Sequence, residues 1–207
     1  MPSMRCLGWT LTPWIDLKIG FNFRSGFCVC RPTNEDRACH FFPREVCFYK
    51  AAFTCGLRLP VHLFIMKLLG FFGIAPGQLM PNSWRIVVNC MEIWLAANKD
   101  MIKVGELIHL YRLKESKEYG YYELVPWARR ARIVKGLPSS FRYWKSRFFF
   151  VSREDFETPF SKDWGDIPRL LCRWATPTLG ASIFLPIVFS FVLFAVIITD
   201  SFAFCFK

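Results

Sequence analysis

Trp127–Val151 reads WARRARIVKGLPSSFRYWKSRFFFV. A basic run (Arg129, Arg130, Arg132, Lys135) leads into Gly136-Leu137-Pro138-Ser139-Ser140, and an aromatic run closing on Phe148, Phe149, Phe150 and Val151 follows. No acidic residue interrupts it. Glycine, proline and paired serines punctuate a chain as a turn. Phenylalanines followed by valine favour a pleated, half-buried surface. The stretch therefore predicts a turn followed by a short strand, Arg147–Val151, with Ala131–Lys135 as a second short strand before it. Tyr119–Pro126 (YGYYELVP) gives a third, which Pro126 confines to a sheet edge or strand end.

Upstream, the pattern is helical. Pro43 is tolerated at a first helical position because its missing N–H would be unpaired there anyway, which predicts a helix from Pro43 through Cys55 with Gly56 as a left-handed cap. A second helix runs from Pro60 to Gly73, apolar on nearly every side apart from His62 and Lys67, and so central in the core. Ala75–Pro81 is a loop by its two prolines and glycine. Asn82 or Ser83 then caps a helix through Ala97, with Trp84, Val87, Val88, Met91, Trp94 and Leu95 on one face. Asp100 caps a fourth, carrying Met101, Val104, Ile108 and Tyr111 on one face and fraying into the charged run Lys114–Glu118. Helices followed by strands predict an α+β fold, a mainly helical domain with one small antiparallel sheet.

The expected organisation is a poorly patterned extension over residues 1–42, an α+β domain over 43–174 and an apolar tail over 175–207. Ile19–Phe23 is the one strand-like piece of the extension. The N-terminus lacks the continuous apolar run of a signal peptide. Residues 152–168 read as an acidic, polar linker. No charge occurs from Ala175 to Thr199. About 20 apolar residues of helix suffice to cross a bilayer core of roughly 30 Å. Residues 180–199 are thus a candidate transmembrane helix, flanked by Arg169 and Arg173, which would keep the preceding domain cytosolic.

The chain has 207 residues, 27 Lys+Arg against 16 Asp+Glu, and a formal net charge of +11. That balance favours a polyanionic partner, nucleic acid or an acidic membrane surface. The nine cysteines are odd in number and irregularly spaced, which predicts mostly reduced thiols in a cytoplasmic or nuclear setting. Cys28, Cys30, Cys39, His40 and Cys47 lack the paired knuckles of a structural zinc site, so no metal is expected. There is no phosphate-binding loop, dinucleotide fingerprint, nucleophile elbow or H-E-x-x-H, and no nucleophile with its base. No catalytic residue and no cofactor are expected. The residues that read as an anion-binding patch are Arg129, Arg130, Arg132, Lys135, Lys145 and Arg147. Trp127, Tyr143 and Trp144 are candidates for stacking on unpaired bases. The same alternation of charged and aromatic residues also describes a half-buried strand with its basic face in solvent.

Three stretches in order carry a family resemblance: GLRLPVHLFIMKLLGFFGIAPGQLMPNSWR (Gly56–Arg85), the aromatic strand at Tyr121 and Tyr122, and KGLPSSFRYWKSRFFFVS (Lys135–Ser152). From about Phe42 to Trp174 the chain resembles the gypsy-type transposon domain found in plant retroelements. The resemblance implies a retroelement-derived protein, gag-like or accessory, acting by contact with nucleic acid or another retroelement protein. It brings no catalytic residues. Two other readings are carried forward. One is a tail-anchored membrane protein with a basic cytosolic domain. The other is a degenerate transposase-type nuclease using Glu154, Asp155, Glu157, Asp163 and Asp166.

Overall fold

The computed structural model describes residues 27–97, 100–128, 132–138, 141–152 and 170–177. Its first strand, β1, is Cys28–Cys30, and its second, β2, is Glu45–Tyr49. Helices α1 (Lys50–Thr54), α2 (Leu63–Phe72), α3 (Pro81–Ala96) and α4 (Val104–Leu110) follow, then β3 (Tyr111–Glu115), β4 (Tyr122–Pro126) and β5 (Phe148–Ser152). The α+β expectation holds, with two small antiparallel sheets in place of one. β5 lies between β1 and β2, while β3 and β4 form a separate hairpin.

β5 decides the layering. It pairs antiparallel with β2 from Glu45↔Ser152 to Tyr49↔Phe148, and with β1 from Cys28↔Ser152 to Cys30↔Phe150. Successive strand residues point to opposite faces. Val29, Val46, Phe48, Phe149 and Val151 therefore enter the main core beneath α1–α4. Cys30, Cys47, Tyr49 and Phe150 enter a second apolar cluster on the other face, with Phe42, Phe148, Trp144, Tyr121 and Trp174 packed around it. A strand covered on both faces carries no polar alternation, which is why FFFV is a continuous apolar run.

The helix expected over Pro43–Cys55 is corrected by the same reasoning. EVCFY is buried along its whole length as β2. Periodicity alone does not separate such a run from a buried helix. Pro43 occupies a tight turn: the Glu45 N–H donates to the Phe42 carbonyl (3.1 Å), and Arg44 takes a positive φ of 62°. Helix begins only at Lys50. The segment expected to be an outlying extension contributes β1, while Ile19–Phe23 lies outside the described residues.

α2 is shorter than Pro60–Gly73. His62 caps it, its Nδ1 accepting from the Phe64 N–H (3.1 Å), and Gly73 ends it at φ 66°. α3 starts at Pro81, and neither Asn82 nor Ser83 caps it. Its buried face is Ser83, Trp84, Ile86, Val87 and Cys90; Leu95, expected inside, is exposed. Asp100 does not cap α4. Instead the Lys103 N–H donates to the Glu106 carboxylate (2.7 Å). Tyr111 leaves the helix to begin β3, so the charged run at Lys114 is strand at its start rather than frayed helix. Within Ala131–Lys135 the described residues, 132–135, are not strand. Among the described residues no helix is long and apolar enough to cross a membrane. The candidate span 180–199 and the acidic segment at 153–166 lie outside them.

Two substitutions probe this frame. Phe149 is fully buried and packs on Phe53 at 5.5 Å between ring centroids. Phe149→Ala should cost about 3–5 kcal/mol in urea unfolding. Gly56 sits at φ +105°, and a Cβ there would lie 2.8 Å from Val88 Cγ1. Gly56→Ala should therefore destabilise by more than about 1 kcal/mol in the same assay, against the usual stabilising effect of replacing glycine by alanine.

Candidate nucleic-acid interface

The β3–β4 hairpin sorts the basic residues. Its register runs from Tyr111↔Pro126 at one end to Glu115↔Tyr122 at the other. Four residue steps at about 3.4 Å each put these ends roughly 14 Å apart. At the first end the Tyr111 hydroxyl accepts from the Val134 N–H (3.2 Å), which anchors the segment carrying Arg132 and Lys135. Both of those side chains are exposed. At the other end stands Lys145, whose Nζ lies 4.9 Å from the Tyr121 ring centroid and 5.5 Å from that of Trp144. The structure thus separates Arg132 and Lys135 from Lys145.

Lys145 is also committed. It is ion-paired with Glu118 and half-buried on its two aromatic neighbours. A phosphate at Lys145 would have to displace that carboxylate. Arg147 is exposed, next to β5, and its carbonyl accepts from the Lys50 N–H (2.9 Å) where α1 begins. Arg129 and Arg130 lie outside the described residues.

A residue the sequence reading missed completes the first end. Arg112, exposed on β3, places its guanidinium carbon 5.7 Å from the centre of the Trp127 ring. Arg112 pairs with Val125, and Trp127 is two residues beyond Val125, so the two are diagonal neighbours on one face. The register alone reveals this; spacing along the chain does not. Trp127 is 44% exposed yet fixed: its Nε1–H donates to the Ile108 carbonyl (2.8 Å) and its backbone N–H to Leu110 (3.2 Å). A pinned, open indole beside an arginine is suited to stacking on a base. Tyr143, 80% exposed at a positive φ of 56°, stands apart next to Trp144. Trp144 itself is turned inward, edge-on to Tyr49 at 4.6 Å and Tyr121 at 5.3 Å.

The described part of the expected turn, residues 136–138, is held against α3. Asn82 Nδ2 donates to the Pro138 carbonyl (2.8 Å), and the Arg85 guanidinium lies over Phe141 at 5.0 Å. Gly136 takes φ 69°, a conformation that favours glycine.

Burial sets the titration of several thiols and phenols among the described residues. Burial pushes the Cys90 thiol up to about 12, and raises Cys47, helped by Cys39. Cys55 is also raised by burial, although Arg85 beside it pulls the other way. Burial and their shared hydrogen bond (2.7 Å) raise the Tyr49 hydroxyl, and burial raises Tyr121 despite that bond. Activated nucleophiles need shifts in the opposite sense. Of the described cysteines, Cys28, Cys39, Cys47, Cys55, Cys90 and Cys172 are free thiols, whereas Cys30 is disulfide-bonded. Among the described residues no group of three or more His, Cys, Asp or Glu is gathered to hold a metal ion.

Residues 46–113 match the family model described as "Putative gypsy type transposon". That segment of the chain is similar to gypsy-type transposon proteins. The match opens on Val46 in β2, takes in all four helices and stops at Leu113 in β3. The hairpin's second strand, the turn at Gly136 and β5 lie beyond it. No curated protein and no solved structure matches the chain.

Thiol reactivity tests the burial pattern. At neutral pH an alkylating reagent should modify exposed Cys39 readily, and Cys47 and Cys90 only after denaturation, as read by mass spectrometry of peptides. A raised thiol pKa leaves little thiolate at neutral pH and burial blocks the reagent, so both effects have the same sign.

Proposed function

We propose that this retroelement-derived chain is a non-catalytic domain that binds single-stranded nucleic acid at the Tyr111–Pro126 end of its hairpin. The observation that carries the reading is the Trp127 indole, exposed but pinned by Ile108, with Arg112 over it. Arg132 and Lys135 are exposed on the segment anchored at that same end. The six basic residues of the sequence reading are narrowed to Arg132 and Lys135, on the segment that Tyr111 anchors, and to Arg129 and Arg130, which follow Trp127 in sequence; Arg112, over the Trp127 ring, joins them. The net charge of +11 supplies general attraction to a polyanion. The indole supplies a face on which any base can stack, which predicts weak sequence preference.

The test is fluorescence anisotropy of a labelled oligonucleotide across a salt series. Replacing Arg129, Arg130 and Arg132 together by Ala should weaken binding and reduce the slope of log K against log salt by about 2, at roughly 0.7 per lost phosphate contact on a single strand. Trp127→Ala should cost about 1–3 kcal/mol with the slope unchanged. Absence of binding by the wild type at low salt, or affinity unchanged in both variants, would remove the proposal.

A further inference from the structure

We infer that Gly77, Gln78 and Gly120 form a peptide-binding slot for an extended tryptophan–small-residue dipeptide, and that Trp174–Ala175 of this chain fills it as a detachable latch. Gln78 is almost wholly buried. Its carboxamide oxygen accepts from the Ala75 N–H (2.9 Å) and from the Ala175 N–H (3.0 Å). Its amide nitrogen donates to the Ala175 carbonyl (2.8 Å) and to the Gly120 carbonyl (3.3 Å). One half of the carboxamide thus belongs to the domain. The other half pairs with the N–H and C=O of a single residue, as a neighbouring strand would. That is recognition of backbone, made through the N–H and C=O of position 175 and not through its side chain.

The side-chain reading falls to the tryptophan. A Cβ on Gly77 would lie 3.3 Å from Trp174 Nε1, and one on Gly120 would lie 3.2 Å from two carbons of its ring. Gly120 needs its glycine for backbone reasons as well, at φ +82°. Gly77 takes no positive φ, so its missing side chain answers to what lies over it: the indole and the Cys47 carbonyl. Tyr121 meets the same indole edge-on at 5.0 Å. The niche is shaped for one flat ring.

One feature favours release of the occupant. Trp174 Nε1 is buried and finds no acceptor, a cost that leaving the slot would relieve. Its flanks differ: Arg173, resting on Phe41 at 4.7 Å, and Leu171 are exposed, whereas Leu170 is buried in the main core with Cys172 packed against it, so release moves the segment beyond Leu170 and leaves that anchor in place. The indole also covers the second apolar cluster. Release would open Tyr121 to a competing peptide. The slot is separate from the Trp127 end of the hairpin, and its fate does not bear on nucleic-acid binding.

The test uses the full chain carrying Trp174→Ala, which vacates the niche, and a fluorescein-labelled peptide with the sequence of residues 170–177 and Cys172→Ser. Saturable binding to this variant should be at least tenfold tighter than to the wild type, whose slot is occupied. It should fall at least tenfold when Gln78→Glu is added or when the peptide's own tryptophan is replaced by alanine. No saturable binding by a variant that still unfolds cooperatively overturns the proposal, as does binding indifferent to Gln78. Should the variant fail to fold, hydrogen exchange in the wild type decides. The Ala175 amide should exchange at least tenfold faster than those of Phe149 and Val151, showing that the latch opens without global unfolding. Exchange in step with them would make the segment a fixed part of the core and end the proposal.

Discussion

The fold depends on β5 being held between β1 and β2. Residues 28–30 and 45–49 meet 148–152 across about a hundred residues of chain. Such pairing must close a long loop before any contact rewards it. What rewards it is burial on both faces. Phe149 and Val151 complete the helix-covered core, while Phe148 and Phe150 complete the aromatic cluster on the other side. Removing β5 would leave both clusters open at once. β1 and β2 would also lose their shared partner, since they pair with β5 and not with each other.

Around that sheet, buried polar side chains join segments that secondary structure does not. Ser83 Oγ accepts from the Leu124 N–H (2.8 Å) and ties α3 to the hairpin. The Tyr111 hydroxyl ties the Arg132 segment to the start of β3, and Asn82 ties the following turn to α3. Gln78 ties residue 175 to the loop before α3. Each satisfies a backbone group in a buried or half-buried place. This explains why PNSW does not cap its helix. The residue types that make good caps are the same ones that reach across to another segment's backbone.

The sequence made the helical layer legible because helices bury one stripe. α2 and α3 appeared within a few residues of their limits, Gly56 was readable as a left-handed end and Gly73 as the end of α2. β2 was not legible. A strand covered on both faces has no alternation, and EVCFY runs without a break into the helical KAAFT. β1 was missed because a three-residue strand carries too little pattern to register. The partner of β5 was also hidden. Local order suggested Tyr119–Pro126, whereas the pairing is with strands more than ninety residues earlier. At the candidate interface, Trp127, Arg132 and Lys135 were visible as a basic and aromatic run. Arg112 was not, since its place beside Trp127 follows from hairpin register. Lys145 belonged to the same run, but Glu118 and two aromatic rings claim it, and only the folded chain brings these together.

The arrangement around β5 can be observed directly by NMR in a chain with labelled valine methyl groups. Val151 pairs with Val29 on one side and with Val46 on the other. The account predicts nuclear Overhauser contacts from the Val151 methyls to both. Contacts from Val151 to Val125 in β4, with none to Val29 and Val46, would place β5 beside the hairpin in a single local sheet and contradict it.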